Sequence, residues 1–450
     1  EKKFEGAKTI VLDKNYRSTP EILSVSNSLI SRNEGRIPKQ LQAVRASGQK
    51  PRYRHARSRA EESDALAGEI AALHEKGMRL SDIAVIYRGN YMSRAIEEAL
   101  VRKKIPYEIY SGTAFYQRRE IKDALSYLRL LVFGDDVSFL RVVNVPARGI
   151  GKTRQNMLRE VAESKNVSRL CALRELAEHP LFKGTKAREL LALLDEAKDF
   201  SRENDLADTL DFLLQRSGYE GYLRLCGNQD RLDNLNELKA SVREAVDSAG
   251  EEVNAEDYLN GISLITSADA EDKKECVKLM TVHTAKGLEF PAVFVCCLNE
   301  GLFPSRKIRT REEMEEERRV AYVALTRAES LLYLSDAEGF DANCGGNLYT
   351  SRFLFDIDKD LLEASGAFSE GHLARSKSYI KKSELSMGIV PASEQRFLFR
   401  AGDKVRHPHF GAGVVLDFGG GAYTVEFESG KTRSVSAASD LLIPYYERKS

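Results

Sequence analysis

The feature that most constrains this chain is a change of period along its length. Over the first hundred residues strand-like runs (Thr9–Leu12, Pro51–His55, Ile83–Tyr87, Tyr107–Tyr110) alternate with helical ones (Glu21–Ser31, Glu61–Glu75, Tyr91–Lys103). Such alternation predicts a mostly parallel sheet covered on both faces. From Phe115 to Ala270 the strand pattern stops. Helical spacing alone remains, at Ile121–Val132, Thr153–Ser164, Ala187–Asp199, Leu206–Arg216 and Leu232–Val246. Strands resume at Val277–Val282 and Ala292–Leu298, followed by a charged helix, Arg311–Ala328, and a last strand, Leu331–Ser335. The simplest fold is one α/β domain interrupted by an all-α insertion.

The boundaries are then residues 1–112 for the first part of the α/β domain, 113–272 for the insertion and 273–358 for the second part. Residues 359–396 are polar and Ser-rich and read as a flexible linker. Residues 397–446 carry Gly402, Gly411, Gly413, Gly419-Gly420-Gly421 and Gly430 between short alternating runs such as Tyr423–Phe427. That pattern predicts a small β-barrel.

A chain of 450 residues is too long for one core. Its 68 basic and 68 acidic side chains cancel, which excludes a uniformly basic nucleic-acid coat and leaves room for a local basic groove. Arg36–Arg59 is one such stretch, with eight Lys/Arg, no acid, and Tyr53 and His55 interleaved. It reads equally as a solvated face or as a surface tracking a single strand. No apolar run approaches the roughly 20 residues of a membrane span, and Glu1–Gly6 does not resemble a signal peptide. Six scattered Cys without paired metal spacing point to a reducing, cytoplasmic compartment. The first residue is not Met, so the chain is expected to be a piece of a longer protein.

Two segments imitate nucleotide chemistry. Gly149-Ile150-Gly151-Lys152-Thr153 resembles the end of a phosphate-binding loop, but the first Gly of that loop would fall at Pro146 and no strand feeds it. Leu194-Asp195-Glu196-Ala197 resembles a magnesium-binding pair, yet it lies inside a helical pattern, where solvated carboxylates are expected.

Three other segments carry chemistry. Asp13-Lys14-Asn15-Tyr16-Arg17-Ser18 ends a strand and precedes a helix with Ser18 or Thr19 as N-cap and Pro20 in the first turn. An Arg there reaches an anion and a Tyr stacks on a flat base; an Arg–Asp pair at a strand end is the plainer alternative. Thr281-Val282-His283-Thr284-Ala285-Lys286-Gly287-Leu288-Glu289-Phe290 turns from one strand into another through small residues that let backbone N–H groups approach a phosphate or sugar. The plainer alternative is a tight turn. Glu315 to Ala328 is an amphipathic helix ending in Arg327, whose guanidinium suits developing phosphoryl charge; an ordinary helix with charge pairs such as Glu315 with Arg319 is the alternative.

Together, in this order, these segments resemble motifs of superfamily 1 DNA helicases of the UvrD/Rep/PcrA type. The resemblance rests on "NYRS", "VPARGIG", "TVHTAKGLEF" and "EEERR.AYVALTRA" and runs from Leu12 to Asp356. "GDKVRHPHFGAGVV" resembles the Tudor-like tail of PcrA-type members. The resemblance implies the second of two RecA-like motor lobes, a helical accessory domain and a Tudor-like barrel. It implies ATP and Mg²⁺ as cofactors of the longer protein, with the phosphate loop and Mg²⁺ ligands on its N-terminal motor lobe, so the present chain alone is expected to be inactive. By motif, Arg17 and Arg327 would contact the γ-phosphate, Tyr16 would stack on adenine, and Gly287 and Glu289 would lie near the nucleotide, Glu289 on the ribose. Thr281 and His283 would lie near single-stranded DNA. Arg318 and Arg319 would tie their helix to its neighbours. Arg148, Gly149, Gly151, Lys152 and Thr153 match a helix-hairpin-helix-like loop whose backbone N–H groups meet duplex phosphates; a plain glycine turn is its alternative. Phe410, Phe418 and Tyr423 read as core or interface, with RNA polymerase or nucleic acid as the tail's partner. The implied activity is 3′→5′ ATP-driven translocation and unwinding in repair or replication. The competing readings are a non-enzymatic DNA- and polymerase-binding module and, more weakly, a helicase–nuclease subunit.

Overall fold

The computed structural model describes residues 13–34, 41–249, 253–268, 275–341, 343–366, 369–387, 399, 401–407, 410–419, 422–428, 430–436 and 443–444. The strand expected at Thr9–Leu12 lies outside them. The chain forms two compact units, one from residues 1–62, 285–339 and 347–450, the other from 63–284 and 340–346.

In the first unit four parallel strands lie in the order Glu363–Gly366, Arg52–Ala56, Ala328–Ala337, Phe290–Val295. Phe294 and Tyr333 are register partners, and their rings stack with centroids 4.3 Å apart. The helix Pro20–Ile30 starts at Thr19 with Pro at its first position and buries Ile22, Leu23, Val25 and Leu29. The helix Arg311–Leu325 is started by a capping box between Thr310 and Glu313. Arg318 reaches Asp356 at 2.9 Å and Asn33 at 2.7 Å, so it does tie this helix to its neighbours, whereas Arg319 pairs with Glu315 and Glu316 of its own helix.

The segment expected to be a flexible linker is different over its first part. Residues 363–366 add a parallel strand beside Arg52–His55, and Glu370–Ser386 is a helix capped by Ser369. Sequence period missed this because the helix buries little apolar surface. Residues 388–396 lie outside the described ones. The tail forms an antiparallel sheet of five strands in the order Thr432–Ser436, Ala422–Phe427, Gly411–Gly419, Lys404–His407, Ile443–Pro444. Val405, Val415, Tyr423, Val425, Phe427 and Val435 form its core.

In the second unit the strand Val277–Thr281 lies between Ile83–Tyr87 and Tyr107–Ile109, all parallel. All five residues of Ile83–Tyr87 are buried, as a strand covered on both faces requires. The chain therefore leaves the sheet after Tyr107–Ile109 and returns beside it at Val277. Between them the helices Arg119–Phe133, Lys152–Lys165, Ala187–Phe200, Leu206–Arg216 and Gln229–Ala249 match the expected periods. Asp136–Val142, Arg169–Leu176, Tyr219–Leu225 and Ala255–Ala268 are additional. The three shortest have seven or eight residues, about two turns, too little for a periodic signal. Asp195 and Glu196 are helical, exposed, and paired with Arg174 and Arg216. They are ordinary surface ion pairs, as expected.

A buried charge network joins the two parts of this unit. Arg94, 4% exposed, donates to Glu237 at 2.8 Å and to Glu244 at 2.8 Å, and also reaches Glu98; Glu237 is 1% exposed. Removing one member of a buried pair strands the other in low dielectric. Arg94→Ala is expected to destabilise this unit by about 3–5 kcal/mol. Arg243→Ala, which loses exposed pairs with Asp205 and Asp208, is expected to cost under about 1 kcal/mol. Urea unfolding of the two variants measures the difference; equal losses would contradict it.

Candidate functional site

The Asn15–Ser18 segment is shaped by its own side chains. Asn15 Oδ1 accepts the backbone N–H groups of Arg17 and Ser18, both at 2.9 Å, an Asx turn. Ser18 does not cap the following helix. Its hydroxyl donates to the carbonyl of Ala328 at 2.6 Å, and the Thr19 N–H donates to the carbonyl of Glu329 at 3.1 Å. The segment is thus sewn to the start of the strand Ala328–Ala337. Tyr16, 69% exposed, faces solvent.

This stitching brings Arg17 to the end of the Arg311–Leu325 helix. Arg17 Nε donates to Glu289 at 2.5 Å, 272 residues away in sequence, and Nη1 donates to the Thr326 carbonyl at 3.4 Å. Arg327 is half-buried. Its Nε donates to the Val323 carbonyl at 2.9 Å, Nη1 to the Leu288 carbonyl at 3.0 Å and Nη2 to Thr326 Oγ1 at 3.3 Å. Partial burial, followed by the like charge of Arg17, holds the Arg327 guanidinium below its ordinary pKa. Two guanidinium groups share a site with one half-exposed carboxylate, Glu289. Such an excess of fixed positive charge fits a polyanion. Gly287 takes φ +93°, a conformation that side chains rarely adopt, in the turn leading to Glu289.

Arg17, Glu289, Arg327 and Gly287 therefore belong to the first unit, as does Tyr16. Thr281 and His283 belong to the second. The Thr281 hydroxyl meets that of Thr284 at 3.0 Å, and His283 is exposed. The roles of Asn15 and Thr326 went unread in the sequence. The string "NYRS" contained the first, but only the fold reveals which N–H groups its side chain accepts.

The Arg148–Thr153 loop connects two helices, Asp136–Val142 and Lys152–Lys165. Gly149 has φ +73°, Ile150 is fully buried, and Asn144 Oδ1 accepts the N–H groups of Arg148 and Ile150. Gly151 is the N-cap of the second helix and provides no side-chain cap, which leaves first-turn N–H groups available to an anion. Lys152 and Thr153 are exposed beside them. Arg148 corrects the expectation placed on it. It is 5% exposed and donates inward to the Val142 carbonyl at 2.8 Å, Tyr127 Oη at 2.8 Å and the Ser217 carbonyl at 3.2 Å. It braces the loop and does not present its guanidinium to a duplex.

In the tail Tyr423 is core, while Phe410 and Phe418 are partly exposed. Phe410 stacks on His407 with centroids 4.4 Å apart and lies under Arg433 at 4.5 Å.

A family model described as the UvrD-like helicase C-terminal domain matches residues 10–339. The chain belongs to that family. Among individual proteins it is 35% identical over 432 residues to the ATP-dependent DNA helicase PcrA of Staphylococcus epidermidis. It is 36% identical over 426 residues to DNA helicase II of Haemophilus influenzae. Each alignment covers 92% of this chain and 58% of the relative, so the chain spans little more than half the length of these proteins. A solved C-terminal domain of a possible DNA helicase from Lactobacillus plantarum covers 78% of this chain and 98% of its own at 11% identity and a TM-score of 0.31, too low to bear on the fold. No helix among the described residues is long and apolar enough to cross a membrane.

The Arg148 brace and the crowded guanidinium group of Arg327 make opposite demands on stability. Arg148→Ala is expected to cost about 2–4 kcal/mol, because buried acceptors lose their charged donor. Arg327→Ala, which removes a guanidinium already crowded by Arg17, is expected to cost under about 1 kcal/mol. Thermal or urea unfolding of both variants checks the contrast.

Proposed function

We propose that this chain is the second RecA-like motor lobe, helical accessory domain and Tudor-like tail of an ATP-dependent 3′→5′ DNA helicase. The observation that carries this reading is the pair of guanidinium groups, Arg17 and Arg327, brought together from opposite ends of the α/β sequence with a single half-exposed carboxylate between them. The donor set suits a nucleoside triphosphate. Arg17 and Arg327 would hold γ-phosphate oxygens and offset charge as it develops there. Tyr16 offers an exposed ring to the base, and Gly287 keeps the turn before Glu289 open. Glu289, held by Arg17, would accept a ribose hydroxyl. Mg²⁺ would be held by carboxylates of the N-terminal motor lobe, as Asp195 and Glu196 are committed to surface pairs.

The DNA-facing groups in this reading are Thr281 and His283 toward the single strand, and Gly149, Gly151, Lys152 and Thr153 toward duplex phosphates. The loop's backbone N–H groups recognise no base, so binding there is sequence-independent and salt-dependent. The tail's Phe410, Phe418 and basic rim offer a surface for RNA polymerase or nucleic acid. Hydrolysis between this lobe and the N-terminal motor lobe of the longer protein would open and close the lobes and advance the strand. Without the opposite lobe the chain alone is expected to be catalytically inactive, since half a site does not position the β,γ-phosphates.

DNA-stimulated ATP hydrolysis by the full-length protein tests this. Arg17→Ala and Arg327→Ala are each expected to lower kcat by roughly a thousandfold or more, as loss of an arginine finger does; near-wild-type turnover in either removes that residue from the site. No DNA-stimulated turnover in the unmutated full-length protein, with DNA binding intact, would favour a non-enzymatic binding module. Gly151→Leu is expected to weaken duplex binding more than single-strand binding, measured by fluorescence anisotropy, and equal losses would count against the duplex loop.

A further inference from the structure

The first unit holds a second cluster of chemistry-bearing side chains, at the opposite end of the strand that begins beside Arg327. His55 lies on the strand Arg52–Ala56, which pairs in parallel with Ala328–Ala337 so that His55 is opposite Asp336 and Ala56 opposite Ala337. Glu338 follows immediately, its N–H donating to the Ala56 carbonyl at 2.9 Å. His372 comes from the first turn of the helix Glu370–Ser386. His55 Nε2 is 3.0 Å from Glu338 Oε1, His372 Nδ1 is 3.6 Å from the same oxygen, and the three atoms all lie within 4.8 Å of one another. We propose that His55, Glu338 and His372 are the protein ligands of a divalent transition metal of the zinc class, which clasps the helix Glu370–Ser386 to the sheet.

The groups behind the rings decide which nitrogen atoms face inward. Asp336 is fully buried. Its Oδ1 accepts from Tyr53 Oη at 2.7 Å and meets His55 Nδ1 at 2.8 Å, and its Oδ2 accepts from Thr350 Oγ1 at 2.7 Å. A carboxylate only accepts, so the His55 proton belongs on Nδ1 and leaves the Nε2 lone pair toward Glu338. Thr350 has given its one hydroxyl proton to Asp336. Toward His372 Nε2, 3.2 Å away, it can therefore only accept. That puts the His372 proton on Nε2 and leaves the Nδ1 lone pair inward. Ser376 Oγ supports this arrangement, receiving the Thr350 N–H at 3.1 Å and lying 3.3 Å from His372 Nε2. Both rings are thus oriented by outer partners in the manner of metal-ligating histidines, His55 by a carboxylate and His372 by a hydroxyl.

Distances and charge agree with this assignment. Tetrahedral ligands at zinc bond lengths stand about 3.3 Å apart, between the two separations to Glu338. Two imidazoles and one carboxylate select zinc-like ions over Mg²⁺ or Ca²⁺. Asp336 and Glu338 contribute two negative charges, which a divalent ion balances. The Glu338 side chain is 28% exposed, so solvent reaches the site and water completes the coordination. The clasp also answers a structural question. The buried positions described on the helix Glu370–Ser386 are His372, Ser376 and Ile380, a face with one apolar residue, and apolar burial alone holds such a helix weakly.

The test uses the whole chain, stripped with a chelator and titrated with Co²⁺, then with Zn²⁺ in competition. One equivalent of Co²⁺ is expected to give the strong visible bands of a four-coordinate ion, without the near-ultraviolet thiolate band that its six cysteines would add. Zn²⁺ is expected to displace it and to raise the melting temperature. Glu338→Gln, at a partly exposed position, is expected to fold and to weaken Zn²⁺ binding at least tenfold, and His372→Ala to abolish it. Absence of visible bands at equimolar Co²⁺ would overturn the proposal, leaving His55 as a protonated ion-pair partner of its two carboxylates. Unchanged Zn²⁺ affinity in Glu338→Gln, or cobalt bands of thiolate character, would overturn it equally.

Discussion

The strand Ala328–Ala337 is the member on which the first unit depends. It lies between the strands Arg52–Ala56 and Phe290–Val295, so its hydrogen bonds set the register of both. Its first carbonyls, those of Ala328 and Glu329, receive Ser18 and Thr19. Without those two bonds Arg17 would have no reason to stand beside Arg327. The last residues of the same strand pair His55 with Asp336 and lead into Glu338. Ten extended residues span about 30 Å, so one strand separates an end with two guanidinium groups from a histidine-carboxylate end and holds each in register through backbone geometry alone.

Parallel pairing explains why these sites are assembled from distant sequence. A parallel ladder requires a crossover between partners, and here the crossovers are long. Val277–Thr281 pairs with Ile83–Tyr87 and Tyr107–Ile109 only after the whole helical block has intervened. Residues that meet are therefore far apart along the chain, such as Arg17 and Glu289, and their side-chain bonds are consequences of the fold and not of local spacing.

That also accounts for what was legible beforehand. The strand Ile83–Tyr87 and the helix Leu206–Arg216 coincide with their expected limits because each carries a full apolar period. Arg148 was misjudged because a basic residue beside Gly-hydrophobic-Gly looks the same in sequence whether it faces a phosphate or an internal carbonyl. Its burial against Tyr127 depends on a helix contact that periodicity does not specify. The helix Glu370–Ser386 carries a linker-like sequence because its docked face is mostly polar. Arg17, Arg327 and Glu289 were legible by motif, whereas the Asn15 turn and the Ser18 hook that place them emerged only from the backbone.

The Arg17–Arg327 arrangement shows how a fold fixes two cations in one place. Two like charges close together are unfavourable, and burial adds to the cost at Arg327, which is why its guanidinium is held below its ordinary range. Backbone carbonyls of Val323 and Leu288 satisfy its donors but carry no full charge, and the one carboxylate, Glu289, is engaged by Arg17. A net positive charge therefore remains on this group of side chains. An arginine finger accelerates phosphoryl transfer by 10³–10⁵, or about 4–7 kcal/mol at 1.36 kcal/mol per decade. A flexible surface arginine would lose part of that to ordering its side chain and shedding water. Arg327 is already ordered and partly desolvated by folding, at the expense of the first unit's stability, so in the proposed role its interaction with a developing charge would need no further reorganisation.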